Sequence, residues 1–266
     1  MKILVLGKTG MLGHTVYQYF KEKGYDVVGT TRDIFDAETD DIKDIIEQIK
    51  PDVVINCIGI LNKACEENKQ MAIKINGYLP HYLDCLSRKY NFYFIQVSTD
   101  CVFEGTIGKY DETSKPDATS FYGRTKALGE TNSQNGVTLR TSIVGPDISS
   151  DGIGLFKWFM DQTDSVYGYS NVMWTGVTTI ELAKQMEIAI KNKLTGLHHV
   201  VNNEFISKKD LLELFNKYFE KNIEIKDDSS VKCNKTLVKT RLSYNFNIPT
   251  YDQMIREMKE WEDAHR

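Results

Sequence analysis

The chain has 266 residues and a formal net charge of −4, from 33 Lys+Arg against 37 Asp+Glu, so nothing in its charge favours a nucleic-acid partner. Apolar residues make up 41% and charged residues 26%, ordinary values for a globular protein. No apolar run approaches the ~20 residues that a bilayer-spanning helix needs, and the length suits one large domain or two closely joined ones.

The first half alternates short apolar runs with helical patterns. Residues 2–6 read as a buried strand and not as an export signal, because a glycine-rich turn follows the apolar stretch from Ile3 to Leu6. Residues 11–23 form an amphipathic helix closed by Gly24, and 26–30 a second strand. A helix over 41–50 stops at Pro51. Residues 52–56 are a third strand, nearly all apolar, as a strand covered on both faces should be. A long helix over 71–90, a fourth strand over 91–97, a helix over 123–132 and a fifth strand over 137–140 follow. This alternation predicts an α/β Rossmann fold, a doubly wound parallel sheet with right-handed crossovers.

After Gly145 the pattern changes. Residues 146–170 are richer in Gly, Asp and Ser, around the aromatic patch Phe156, Trp158 and Phe159. A helix over 179–192 and a strand over 197–201 come next. Ser207 is the expected cap of a helix over 208–219, with Asp210 as its first-turn acid. Pro249 precedes a last helix through Trp261. The expected division is a dinucleotide-binding domain over 1–145 plus about 177–195, and a smaller C-terminal α/β substrate lobe over 146–176 and 196–266. The five cysteines, Cys57, Cys65, Cys85, Cys101 and Cys233, include no Cys-x-x-Cys and read as reduced thiols in a cytoplasmic protein. No metal site is expected; His198-His199 is a lone pair and reads as structural.

Gly7-Lys8-Thr9-Gly10-Met11-Leu12-Gly13 follows the first strand directly and opens the first helix. A tight turn needs positive φ, close approach of a pyrophosphate forbids side chains, and a helix N-terminus offers free N–H groups to anionic phosphate. The second strand ends Gly29-Thr30-Thr31-Arg32, about 20 residues on, where the ribose-reading residue is expected. Thr31 and Arg32 suit a 2′-phosphate; Asp33, one residue later, leaves NADH open beside NADPH.

Tyr122 and Lys126 are the second signal. At i and i+4 near a helix start they share one face. A phenol titrates near ~10, and a neighbouring ammonium is expected to lower that value while also holding the nicotinamide ribose. The fourth strand ends Val97-Ser98-Thr99-Asp100, placing Ser98 or Thr99 at the sheet's carboxyl edge. Asn76 is a candidate organiser of a water or backbone relay behind Lys126. Trp158 and Trp174 could stack on a nucleotide base or sugar, with lobe packing the favoured reading of each.

The spacing G-x-x-G-x-x-G resembles the extended branch of the short-chain dehydrogenase/reductase superfamily. Together with Pro51-Asp52-Val53-Val54-Ile55-Asn56, Ser98-Thr99-Asp100, Val102-Phe103, Tyr122-Gly123-Arg124-Thr125-Lys126, Gly129-Glu130 and Leu139-Arg140-Thr141-Ser142, it looks like the dTDP-4-dehydrorhamnose reductases and their relatives, closely over 1–145 and loosely beyond. The resemblance implies a catalytic set of Thr99, Tyr122 and Lys126. It implies cofactor contacts from Gly7, Thr9, Gly10, Met11, Leu12, Gly13, Thr31, Arg32, Cys57, Ile58, Gly59, Asn76, Ser98, Tyr122 and Lys126. It also implies reduction of a nucleotide-activated 4-keto-6-deoxy sugar by NADPH in deoxysugar or cell-surface polysaccharide biosynthesis, with a homodimer as the open assembly.

Three departures bear on this. Cys101 stands where the family usually has tyrosine and where related dehydratases place a catalytic glutamate, which argues against dehydration. Ile58-Gly59-Ile60 replaces a small-residue and aromatic run, and residues 170–176 match only in outline. The competing readings are an epimerase of the same branch and a non-catalytic NADP-binding regulatory subunit, since the regulatory subunit of methionine adenosyltransferase resembles these reductases too.

Overall fold

The computed structural model describes residues 1–148, 152–202, 204–241, 244 and 246–265. In chain order the elements are β1 (Lys2–Leu6), α1 (Met11–Glu22), β2 (Asp26–Gly29), α2 (Ile42–Ile49), β3 (Val53–Asn56), α3 (Asn62–Glu67) and α4 (Lys69–Ala72). A π turn (Ile73–Tyr78) then leads into α5 (Leu79–Tyr90), followed by β4 (Tyr93–Thr99), a 3₁₀ turn (Asp100–Val102), α6 (Phe121–Leu128), β5 (Gly136–Thr141) and β6 (Ile143–Val144). The remainder is α7 (Leu155–Met160), β7 (Val166–Tyr169), β8 (Val172–Trp174), β9 (Val177–Thr178), α8 (Thr179–Asn192), β10 (Gly196–His199), β11 (Ile206–Ser207), α9 (Lys208–Tyr218), β12 (Ile225–Asp228), β13 (Cys233–Asn234) and α10 (Tyr251–His265).

Among the described residues, six strands form one parallel sheet in the order β10-β5-β4-β3-β1-β2. The order reverses between β1 and β3, so the crevice beyond their carboxyl ends is the fold's natural ligand site. The α/β Rossmann architecture expected from the sequence is the one observed. Strand geometry divides the core: Ile3 and Val5 of β1 join one apolar cluster, Leu4 and Leu6 the other, because successive side chains leave a strand on opposite faces. The first cluster continues without a break into the C-terminal elements through Phe156, Phe159, Phe215, Tyr251 and Met258.

Helix limits follow local chemistry. Asp41 caps α2 by accepting the Lys43 N–H at 2.9 Å, and Lys50, left-handed at φ 52° before Pro51, ends it. Ser207 caps α9, accepting the Asp210 N–H at 3.0 Å and donating to the Asp210 carboxylate at 2.7 Å. Two expectations are corrected. The single helix expected over 71–90 carries a π turn, which accommodates one extra residue, and α3 precedes it unforeseen. The strand placed in the substrate lobe at 197–201 is β10, paired in parallel with β5 from Gly196↔Val137 to His199↔Arg140, and so belongs to the central sheet.

Candidate active site

The glycine turn is shaped by contacts that leave no room for side chains. Gly7 is left-handed at φ 76°, and the Lys8 N–H donates to the Thr30 carbonyl at 2.9 Å, tying the turn to the tip of β2. A Cβ on Gly13 would collide with the Gly7 carbonyl oxygen, so this glycine packs α1 against the turn and does not itself line the cleft. Gly10 caps α1 without a side-chain bond, leaving first-turn amides available to an anion. The Cys57 N–H bonds the Leu6 carbonyl at 3.1 Å, which brings Cys57, Ile58 and Gly59 to the other side of the same crevice.

Two cavities meet here. One of about 490 Å³ is lined by Thr9, Met11, Leu12, Ser98, Thr99, Tyr122 and Lys126, among others. One of about 240 Å³ is lined by Gly7, Thr31, Arg32, Phe35, Asp36 and Ile75, among others. Thr9, Gly10, Cys57, Ile58 and Gly59 border both, so the two form one trough from the tip of β2 to α6. An unobstructed glycine turn, open helix amides and a long trough fit an extended dinucleotide. Arg32 is 74% exposed at its mouth, bonded to Asp36 at 3.0 Å and to Glu38 at 3.5 Å; a 2′-phosphate would compete with those carboxylates for it.

At the other end α6 presents the titratable pair. Ser120 caps it, accepting the Gly123 N–H at 3.1 Å, and a Cβ on Gly123 would collide with the Cys101 carbonyl oxygen. The helix therefore lies hard against the turn after β4, which brings Tyr122 to Thr99. The Thr99 hydroxyl accepts the Cys101 N–H at 3.1 Å, donates to Asp100 at 3.2 Å and lines the same cavity as the phenol. Burial, with the Cys101 thiol adding to it, pushes the Tyr122 phenol above its ordinary value. This differs from the sequence expectation of a lowered phenol. The Lys126 ammonium donates to the Val97 carbonyl at 2.8 Å, and burial outweighs the neighbouring charge. Burial also pulls Lys126 down to about 8, opposed chiefly by Glu130.

Asn76 does not reach the trough. Its side chain closes a two-way bracket on Ile60, accepting the N–H and donating to the carbonyl, each at 2.9 Å, and donates to Thr125 at 3.2 Å. The expected relay behind Lys126 is thus replaced by a tie between the β3 loop and α6. Ser98 lines the cavity, but its hydroxyl donates to Glu130 at 2.6 Å. Trp174 is buried and Trp158 lies on the surface, and neither borders either cavity. Sequence reasoning missed Asp100, Thr141 and Ser142 as lining residues, whereas residues 152–154 belong to the stretch 146–175 expected to meet the nucleotide between the lobes; Thr141 and Ser142 stand at the end of β5 on the sheet's carboxyl edge, which is the available signal. Of that stretch, residues 149–151 lie outside the described residues. Among the described residues no His/Cys/Asp/Glu group could hold a metal, and no helix is long and apolar enough to cross a membrane.

The RmlD substrate binding domain matches residues 1–232. The chain belongs to this family. Among proteins similar to this chain, a probable low-salt glycan biosynthesis reductase of Haloferax volcanii is 29% identical over 245 residues, covering 80% of this chain and 78% of that one. The methionine adenosyltransferase 2 subunit beta of Xenopus laevis is 30% identical over 160 residues, but spans only 55% of this chain and 48% of its own. Among solved structures, a dTDP-4-dehydrorhamnose reductase of Bacillus anthracis in complex with NADP superposes with a TM-score of 0.85 at 18% identity, over 97% of this chain and 98% of that one.

Proposed function

We propose that this RmlD-family chain is an NADP(H)-dependent reductase of a nucleotide-activated 4-keto-6-deoxy sugar in glycan or polysaccharide biosynthesis. The observation that carries the reading is the convergence of Thr99, Tyr122 and Lys126 on the trough that begins at the glycine turn. Reductases of glycan and deoxysugar pathways among its relatives support the same substrate class.

The bound dihydronicotinamide would supply hydride to the sugar carbonyl carbon. The chain's residues manage the oxygen. Tyr122, kept protonated by burial, donates its phenolic proton as negative charge grows there. Thr99 turns its hydroxyl from Asp100 to the same oxygen and stabilises that charge. Lys126, fixed on the Val97 carbonyl, holds the cofactor ribose with its remaining protons. A raised phenol suits reduction, since the group must begin as an acid. Gly7, Gly10, Met11 and Leu12 cradle the pyrophosphate, with Cys57, Ile58 and Gly59 opposite, while Thr31 and Arg32 meet the 2′-phosphate. The five cysteines are free thiols, in keeping with a cytoplasmic, reducing setting. A homodimer is proposed on the exposed apolar side chains Tyr78 and Leu128.

The relation to a methionine adenosyltransferase subunit sustains one rival, a non-catalytic NADP-binding partner. Consumption of NADPH, followed at its nicotinamide absorbance, with UDP-, dTDP-, GDP- and CDP-linked 4-keto sugars separates the two. Turnover with one of them is expected; tight NADPH binding without turnover of any would overturn the enzymatic reading.

A further inference from the structure

We propose that Glu130 is a positioning residue that keeps Lys126 cationic and fixes the carboxyl end of β4, with Arg140 as its clamp. The inference rests on the role given to Lys126 above, although its test does not need the cofactor.

Glu130 follows α6 directly after Gly129, and its side chain is 10% exposed. It accepts three donors: the Ser98 hydroxyl at 2.6 Å, Arg140 Nε at 2.7 Å and Arg140 Nη2 at 2.6 Å. The two arginine contacts form a bidentate fork, which fixes the plane of the carboxylate. Arg140 is itself 2% exposed, so it requires an anion within the protein. Its remaining Nη1 meets His199 Nε2 at 3.0 Å. His199 donates from Nδ1 to the Val238 carbonyl at 2.8 Å, so it faces the guanidinium with a lone pair and must stay neutral.

The strand register turns this ion pair toward the reactive end of the trough. Lys126 grips Val97, Glu130 grips Ser98, and Thr99 is the next residue. Two successive positions of β4 are thus held from the α6 side, immediately before the hydroxyl that faces Tyr122. The groups acting on Lys126 are Glu130 beyond α6, Cys65 from α3 and Cys57 after β3, with Tyr122 one turn earlier on its own helix. Burial raises both thiols and the phenol, which leaves Glu130 as the carboxylate among them. A lysine stripped of water titrates well below its free value unless an anion is near. Glu130 is therefore shared: it neutralises Arg140 and offsets the burial of Lys126. A purely structural brace would need only the first of these.

The test follows the Lys126 ammonium directly by side-chain nitrogen NMR, with Lys126→Arg to assign the signal, from pH 6 to 10. In Glu130→Gln the titration midpoint should fall by on the order of one pH unit against the parent. NADPH binding, measured in parallel by fluorescence, should lose its alkaline range by the same interval while staying within about threefold at pH 6.5. An unmoved midpoint in a folded variant would overturn the proposal and leave Glu130 a brace. Because removing one partner of a buried pair can unfold a protein, Glu130→Gln with Arg140→Met supplies the second variant, which removes both charges together. It should show a downward shift smaller than that of Glu130→Gln, because loss of the nearby Arg140 cation works in the opposite direction, and a midpoint at or above the parent's overturns the proposal. Absence of NADPH binding by the parent at every pH would instead sink the dinucleotide reading, while the NMR midpoint still judges Glu130.

Discussion

The two ends of the trough are built in opposite ways. At the β2 end the backbone does the work. Gly7, Gly10 and Gly13 succeed by lacking side chains, and Arg32, the cation proposed above for the ribose phosphate, stands in water between Asp36 and Glu38. At the α6 end side chains do the work. Lys126 is buried and held by the Val97 carbonyl of β4, and the half-buried Tyr122 shares its cavity with Thr99 of the same strand. The contrast teaches that affinity for a dinucleotide can be written in local spacing, whereas the state of a proton depends on groups far apart in the chain.

The contrast can be broken first at Tyr122. Tyr122→Phe removes the proton donor while preserving the ring, so turnover should fall roughly 10²–10⁴-fold with NADPH affinity nearly unchanged. Single-turnover kinetics beside a binding titration checks both halves, and near-parental turnover would dismiss the phenol as donor. Next is Gly13→Ala. Its methyl has no space beside the Gly7 carbonyl, and a backbone atom cannot swing aside, so stability should drop by about 1–3 kcal/mol and NADPH binding should suffer with it. Urea unfolding with and without the nucleotide reads the effect. A variant as stable as the parent would show that the turn has slack. Arg32→Ala is the mildest. Losing a charge-assisted contact at the trough mouth should weaken NADPH on the order of tenfold and leave NADH almost untouched. Equal losses for both nucleotides would mean that Arg32 does not discriminate between them.

What the sequence made legible follows the same division. The Gly7–Gly13 turn could be read because its requirement is local: strand, turn and helix are consecutive. Tyr122 and Lys126 could be read because a helix places i and i+4 on one face. The parallel, doubly wound character of the sheet follows from alternation, and the helix expected over 179–192 is observed as Thr179–Asn192. The rest failed for identifiable reasons. The sequence places residue 196 onward in the second lobe because strand patterns do not announce their neighbours, and only the register shows β10 against β5. The expectation of a lowered phenol rests on Lys126 alone and lacks the burial of the site that reverses it. The sequence suggests a relay for Asn76 and hides its tie, because its bonds to Ile60 and Thr125 cross 16 and 49 positions of sequence. Glu130 and Arg140 were noticed as motif letters, but their bidentate contact and its reach to Ser98 belong to three dimensions.

The wide turn at Ile73–Tyr78 has a consequence for insertions and deletions. Beyond it, every side chain of α5 is phased by the surplus residue, and Asn76 sits within the loop of extra backbone. Shortening this stretch by a single amino acid would restore ordinary α-helical winding and swing the amide by about 100° around the axis. The β3 loop and α6 would then lose their shared tie, though no residue lining the cavity beside Tyr122 had been altered. Chain length at this one place is as much a part of the site as any side chain.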